Sequence, residues 1–557
     1  MVLQVTLTLL IALALVVPTG RYLYRVFAGD PALGDRVFLP VERLVYRLIG
    51  LKDPGESMGW KDYAAALVLS NAAMALLVYL IFRLQGLFPW NPQRVGGMEP
   101  ILALNTTVSF LTNTNLQHYG GETTLSYFSQ MAGITFLMFT SAASGFAAAI
   151  AFLRGITGRP LGNFWADMTR FILRVMLPTS LVMALLLIWQ GSPQTLSPFV
   201  QATTLEGARQ SIAVGPVASL ESIKHIGTNG GGFFAANAAH PYENPTPLTN
   251  LILILAMLWL PTSLVYTFGL FARNARQGWT FFAAASLLFL VLLGNTLVAE
   301  SRGNPALHQQ GLAGASMEGK EVRFGPAQSA LFATVTTAAT TGSVNAAHDS
   351  LTPMGGFTAM VLMMLNSVFG GKGVGLMNLV TMAMIAVFLV GLMVGRTPEF
   401  LRKKLETQEI VLLAIVILLH PLIILAPSAV ALVTAAGKAS ISHAGFHGLS
   451  QVIYEYTSAG ANNGSEFGGL AGNTPFWNIT TGMVMFFGRY FSIIALLAVA
   501  GFLAAKKPVP EGPGTLRTDT SLFAGVLVGV IILVGALTFF PVLALGPIAE
   551  HLTLVGR

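Results

Sequence analysis

Four stretches of this sequence end in runs of Thr, Asn and Gly: ALNTTVSFLTNTN (103–115), VASLESIKHIGTNGGGFF (217–234), SALFATVTTAATTGSVN (329–345) and SQVIYEYTSAGANNGSEF (450–467). These residue types suit the binding of a dehydrated monovalent cation. A potassium ion in a narrow pore must exchange its water for protein oxygens, and inward-pointing backbone carbonyls supply them. Glycine allows the backbone to turn that way because it reaches positive φ without steric cost. Asn and Thr add neutral oxygens and tie the loop down by local hydrogen bonds. Carboxylates, which would hold a divalent ion more strongly, are nearly missing, although Glu466 stands just beyond the fourth loop. The same residue types also mark ordinary outer turns. A pore is favoured because four such loops fall at matched positions, and irregular backbone at membrane depth must line a cavity or be buried in protein.

The elements that would position these loops are membrane helices. Of 557 residues, 54% are hydrophobic and 10% charged, against about 25% charged in soluble domains. Apolar runs at 64–82, 171–189, 251–271, 281–297, 410–432 and 522–545 approach or exceed the ~20 residues that cross a bilayer. They must be helical, since nothing in the hydrocarbon core satisfies a free amide. The first run, 2–23, lacks both a preceding basic stretch and a small-residue cleavage site, so it reads as a retained helix and not a signal peptide.

Basic residues fall at alternate ends of the spans: Arg21, Arg25, Arg36, Arg43, Arg47, Lys52 and Lys61, then Arg154, Arg159, Arg170 and Arg174, then Arg273 and Arg276, then Arg396, Arg402, Lys403 and Lys404, then Lys506 and Lys507. This pattern places those loops in the cytoplasm and both termini outside. It also absorbs the net charge of +7, which would otherwise suggest a nucleic-acid partner.

With Thr114, Gly230, Gly342 and Gly464 as markers, the loops recur roughly every 110–120 residues, each between two spans, which is an internal repeat of span, short helix, loop, span. The expected fold is an all-α integral membrane protein of about ten transmembrane helices, with four membrane-pore-membrane pseudo-repeats around one pore and one extra helix at each end. The divisions are a first helix at 1–24, repeat 1 at 62–155, repeat 2 at 170–273, repeat 3 at 280–396 with a broken second helix, repeat 4 at 409–505 and a last helix at 520–550.

Two charges fall inside spans. FGGKGVG (369–375) interrupts the second span of repeat 3, and each Gly costs about 1 kcal/mol in a helix interior, so an intramembrane loop beneath the pore loops is expected there. Close packing through small residues is the alternative. Lys372 lies in this break and must face water or a partner, since a buried ammonium costs at least ~2.5 kcal/mol. Arg489 sits in the middle of MVMFFGRYFSIIALL (483–497) with no acidic residue near it in sequence, which aims it at the pore interior or a buried partner.

The sequence has no GxxxxGK[ST], no DKTGT and no HExxH, so any ATP hydrolysis belongs to another chain. The lack of cysteine removes thiolate chemistry and Cys-ligated metal sites. The nine His residues show no ligand spacing, so a metal enzyme is not expected. The remaining readings are an ion-selecting pump subunit, a Trk- or Ktr-like potassium channel or ion-coupled transporter, and a membrane scaffold or enzyme subunit whose polar loops bind an organic ligand.

NTNLQHYGGETTLSYFSQMAG (113–133), GTNGGGFFAANAAHPYENPTPLTN (227–250), MEGKEVRFG (317–325) and GRTPEFLRKK (395–404) resemble signatures of the KdpA family, channel-like subunits of bacterial Kdp potassium pumps related to the Trk and Ktr transporters. The likeness runs over essentially the whole chain. It implies a non-catalytic subunit of a P-type ATPase complex in the bacterial plasma (inner) membrane. Its partners would be a catalytic P-type subunit (KdpB-like), a single-span accessory subunit (KdpC-like) and a small peptide subunit (KdpF-like). K+ would be the only ion held and no nucleotide would be bound here.

Carried over by position, the filter is Asn113, Thr114, Asn115, Thr228, Asn229, Gly230, Thr340, Thr341, Gly342, Asn462, Asn463 and Gly464, with Gln117 at its entrance. Gly371, Lys372, Gly373 and Arg489 fall at the gate or barrier below the filter, from which the ion passes sideways into the P-type subunit. Ala461 stands where the family often has Asn, Thr340 and Thr341 differ from other members, and some relatives have an acidic residue at the place of Asn366 and an apolar one at that of Lys372.

Overall fold

The structure, a computed structural model, describes residues 2–312, 314–510, 512 and 516–556; residue 1 of the expected first span lies outside them. Helix α1 (Val2–Ala28) is followed by a short amphipathic α2 (Asp35–Leu48), then α3 (Trp60–Arg83), the short α4 (Pro100–Leu111), α5 (Ser129–Ile156) and α6 (Phe164–Trp189). After a small antiparallel hairpin of β1 (Val200–Thr203) and β2 (Arg209–Ile212) come the short α7 (Val217–Ile226), α8 (Pro247–Phe271), α9 (Ala275–Arg302) and the short α10 (Gly325–Ala338). The chain continues through α11 (Pro353–Leu365), α12 (Val374–Val394), α13 (Thr407–Val433), the short α14 (Gly445–Gly460), α15 (Pro475–Ala505) and α16 (Ser521–Leu543).

Among the described residues, ten helices are long and apolar enough to cross a membrane. Helix α2 and the hairpin were not anticipated from sequence. The amphipathic pattern of α2 is too short to read as a span.

Sequence rules fix where three inner helices begin. Helices α8, α11 and α15 each have Pro at the first turn, where its missing N–H is no loss, and each is capped by the preceding Thr. The hydroxyl of Thr246 accepts from the Thr249 N–H, that of Thr352 from Gly355, and that of Thr474 from Trp477. Each helix that follows a polar loop (α5, α8, α12, α15) is more buried than the span that precedes that loop (α3, α6, α9, α13). The post-loop helices therefore make the centre of the molecule, and α1 packs along α8 while α16 packs on α9 and α12 at the periphery.

At the end of α5 remote from the loops, ion pairing ties the outer helices to the centre. Arg154 donates to both oxygens of Asp167, at 2.7 and 3.0 Å, and also to the carbonyls of Leu161 and Phe27. The Tyr63 hydroxyl adds a bond to Asp167 at 3.1 Å. One buried pair thus joins α1, α3, α5 and α6. Arg174 in α6 similarly donates to Glu42 and Asp35 of α2. Sequence reading assigned both arginines only to loop charge; the structure shows them buried and paired as well.

Removing one member of a buried pair leaves the other charge uncompensated, at a cost of roughly 3–5 kcal/mol. Asp167→Asn is therefore expected to lower the thermal unfolding midpoint of the detergent-solubilised protein clearly more than Asp35→Asn, whose carboxylate is partly exposed. Equal shifts would contradict this.

Candidate functional site

The four short helices α4, α7, α10 and α14 end in one geometry. The residue after each cap, Asn113, Thr228, Thr340 or Asn462, has left-handed backbone with φ of 63°, 43°, 41° and 53°. The next N–H, of Thr114, Asn229, Thr341 or Asn463, reaches back to Ser109, Lys224, Thr336 or Ser458 at 2.8–2.9 Å. This is the Schellman termination, which returns an orphan helix carbonyl to use. Left-handed Thr at 228 and 340 is strained, at about 1–3 kcal/mol each, a burden that tends to persist where a site requires it.

The third residue also has positive φ: Asn115 at 62°, Gly230 at 100°, Gly342 at 90° and Gly464 at 94°. The register read from sequence is corrected by one residue in the first loop. Asn115, not Thr114, is the counterpart of the three glycines, and Asn tolerates this conformation better than other side chains.

The loops close on one another in a ring. A Cβ on Gly230 would collide with the Thr341 carbonyl, one on Gly342 with the Asn463 carbonyl, and one on Gly464 with the Thr114 carbonyl. The circuit is completed by Asn113, whose carboxamide donates to the Thr228 carbonyl at 2.8 Å and accepts from Asn229 Nδ2 at 2.8 Å. Asn462 Nδ2 adds a bond to Thr114 Oγ1 at 2.8 Å. All twelve residues of the expected set, three from each loop, are brought together. Within the ring, Asn115 Oδ1, Asn229 Oδ1 and Thr341 Oγ1 are buried without a hydrogen-bond partner. The ring therefore holds neutral oxygens that the protein itself does not use.

Directly behind two of the loops lies residue stretch 366–373, between α11 and α12, so the break begins three residues earlier than Phe369 and Gly375 is already helical. Asn366 is left-handed at φ 43° and ends α11. The Gly370 N–H donates to Ala338 at 2.9 Å and that of Lys372 to Thr228 Oγ1 at 3.2 Å, while Gly371 sits against the Thr340 hydroxyl. Gly373, at φ 89°, lies against the Gly145 carbonyl of α5.

Arg489 of α15 enters the same place: its guanidinium packs on Gly145 and donates to the Ser141 carbonyl at 3.3 Å. Lys372 is 2% exposed with no hydrogen-bond partner for Nζ, and Arg489 is 6% exposed. Neither has a carboxylate partner among the described residues. Gly371, Lys372, Gly373 and Arg489 therefore lie together in one layer next to the ring.

On the opposite side, a cavity of about 300 Å3 is lined by residues including Asn115, Gln117, Gly342, Gly464 and Glu466. Gln117 is engaged rather than free. Its Oε1 accepts from the Gly232 N–H at 2.7 Å, and its Nε2 donates to the Tyr119 hydroxyl at 3.1 Å. It acts by holding the second loop against the first.

Several residues here were not identified from sequence. Lys224, fully buried in α7, pairs with Glu221 at 2.9 Å and with Glu243 at 2.5 Å, and Glu243 also accepts from the Phe234 N–H. His118 pairs with Glu455 of α14 at 2.9 Å. The histidines are also less scattered than the sequence implied: His443 and His447 come together with Asp349, their ligand atoms within 4.8 Å of one another. The four-residue spacing of the two histidines was the available signal.

The chain matches the family model KdpA, described as potassium-transporting ATPase A subunit, over residues 6–552. A Geobacillus kaustophilus protein named potassium-transporting ATPase potassium-binding subunit is 55% identical over 555 residues, covering 99% of each chain. The crystal structure of the potassium transporter TrkH from Vibrio parahaemolyticus shares the fold with a TM-score of 0.55 at 16% identity, over 89% of this chain and 97% of that one.

The ring makes a steric prediction. Gly342→Ala places a Cβ against a backbone carbonyl at φ 90°, whereas Gly445→Ala meets only open space at φ 73°. Both pay the left-handed penalty of roughly 1–2 kcal/mol, so thermal unfolding should show the larger loss for Gly342→Ala. Equal losses would mean that the loops are not in contact.

Proposed function

We infer that this chain, which belongs to the KdpA family of potassium-transporting ATPase A subunits, is the potassium-binding subunit of an ATP-driven potassium importer and that its four loops are the ion filter. Catalysis of ATP hydrolysis lies in a separate subunit of the complex. The single observation that carries the filter reading is the ring of glycine-to-carbonyl contacts among Gly230, Gly342 and Gly464 and the loops that follow them.

Backbone carbonyls held that close, with the unused oxygens of Asn115, Asn229 and Thr341, offer a dehydrated potassium ion a replacement for its water. No ionised side chain belongs to the twelve residues, so a divalent ion gains nothing to offset its larger dehydration cost. The units around the loops, at 62–155, 170–273, 280–396 and 409–505, are four copies of one membrane-pore-membrane design.

Below the filter, Arg489 repels an oncoming cation, and Lys372 lies buried in the same layer. At a separation of several ångströms in a poorly polarisable interior, such repulsion amounts to several kcal/mol. The straight route across the membrane is closed by charge, and the ion is diverted sideways. Its destination is a P-type, KdpB-like catalytic subunit, and a single-span KdpC-like subunit and a small KdpF-like peptide complete the complex. The chain is a multi-pass membrane protein; its place is the bacterial plasma membrane, with both termini outside and the basic loops in the cytoplasm. The TrkH likeness, at 16% identity, supports the fold and leaves the mechanism to the site.

The direct test is ATPase activity in the complex purified through this chain. Activity that rises with K+ and not with Na+ is expected; activity indifferent to K+ would overturn the reading. Gly230→Asp, which crowds the Thr341 carbonyl and adds a charge, should raise half-saturating K+ at least tenfold and erode discrimination against Na+. Arg489→Ala should let K+ pass through reconstituted protein without ATP, and an unchanged barrier would contradict the role given to that charge.

A further inference from the structure

Away from the ring, the segment that follows the third loop meets the start of α14 in a cluster that neither the filter nor the core employs. Asp349, His443 and His447 bring a carboxylate oxygen and two ring nitrogens within 4.8 Å of one another. His447 is tightly flanked: its Nε2 is 2.8 Å from Asp349 Oδ1, and its Nδ1 is 2.9 Å from Oε1 of Glu550, in the helical stretch after α16. Asp349 and His447 are partly exposed and His443 is exposed, so solvent reaches all three.

The donors are held from behind. Gln451, fully buried in α14, places its Nε2 3.1 Å from Asp349 Oδ1 and 3.1 Å from His443 Nδ1. One buried carboxamide thus aims a carboxylate and an imidazole at the same region. Its Oε1 is buried without a partner, and a half-turn of the carboxamide would offer that oxygen to the cluster as a further donor.

We propose that Asp349, His443 and His447 bind a divalent transition-metal ion of the zinc class, with Glu550 orienting His447. Two imidazoles and one carboxylate suit such an ion, whereas calcium and magnesium take oxygen donors. Ligands about 2.0–2.2 Å from a tetrahedral zinc stand ~3.3 Å apart. The His447 and Asp349 atoms are already near that spacing, and His443, the most exposed of the three, closes the rest by about 1–2 Å. An ion that takes the place of the hydrogen between His447 Nε2 and Asp349 leaves the Nδ1–H donating to Glu550. That is a carboxylate–histidine–metal chain, which fixes the ring and strengthens it as a donor. Three protein ligands leave one position for water.

The site joins segments distant in sequence. The Asp349 N–H donates to the Phe467 carbonyl, and the His447 ring lies 5.5 Å from that of Phe467, at the end of the fourth loop. A bound ion fastens the exit of the third loop to the start of α14 and, through Glu550, to the chain beyond α16. None of its ligands belongs to the twelve filter residues, so the inference is independent of the filter reading.

The test uses the whole complex, purified without a histidine tag, with zinc chloride as the probe. Competition against a chromophoric chelator at fixed pH should reveal a tight site on the native protein that calcium and magnesium chloride do not occupy. His443→Ala and Asp349→Asn should each weaken it at least tenfold, and Glu550→Gln, which removes only the orienting carboxylate, should weaken it by roughly 10–100-fold. X-ray absorption at the zinc edge should show two imidazole ligands in the native complex and one in His443→Ala. The exposed position of His443 lets that variant keep the native unfolding midpoint in the absence of zinc. Zinc affinity unchanged in both His443→Ala and Glu550→Gln, or a native spectrum without imidazole, would overturn the site. ATPase stimulation by K+ is a separate reading and bears on the filter alone.

Discussion

A carbonyl oxygen turned into a pore is lost to the helix that would otherwise use it, and at membrane depth no water makes up the bond. The four loops meet this constraint with the same pair of devices. The Schellman cap returns late helix carbonyls of α4, α7, α10 and α14 to backbone N–H groups, so fewer acceptors are orphaned where each helix stops within the protein. The residues that follow then lean on the next loop, whose carbonyl occupies the space a side chain would need. The ring is thus braced by neighbours touching, with Asn113 and Asn462 as cross-links and residues 366–373 and Gln117 as outside supports.

Charge is distributed according to the same low-dielectric logic. Several buried charges are paired: Arg154 with Asp167, Lys224 with Glu221 and Glu243, and Lys320 with Glu300, whose other oxygen caps the start of α11 through Thr352. Lys372 and Arg489 are the contrast, since both are buried and neither has a carboxylate partner among the described residues.

The long spans were legible because hydropathy over twenty residues is a local property, and the ten crossings follow from it. The loop residues were legible as types, since Thr, Asn and Gly announce unusual backbone. Their register in the first loop was not, because Asn115 replaces glycine and conformation, not composition, reveals the equivalence. The early start of the break at Asn366 was hidden for a related reason: the glycines mark where helix is weak, whereas the helix ends where a residue turns left-handed. Contacts between distant segments, such as Gln117 with Gly232, His118 with Glu455 and His443 with Asp349, leave almost no trace in a single sequence. The Thr-Pro pairs that open α8, α11 and α15 were legible in principle, being a capping signal written in two adjacent letters.

All four loops belong to one polypeptide, so the ring has four corners that mutate separately. In a pore assembled from identical subunits, a single codon change appears at every corner, and a glutamate over the filter would become a cage of four carboxylates with a strong appetite for calcium. Here Asn115 replaces glycine at one corner and Glu466 adds one acid above another. Gene-level fusion thus permits adjustments in steps of one group, a finer grain than rotational symmetry allows.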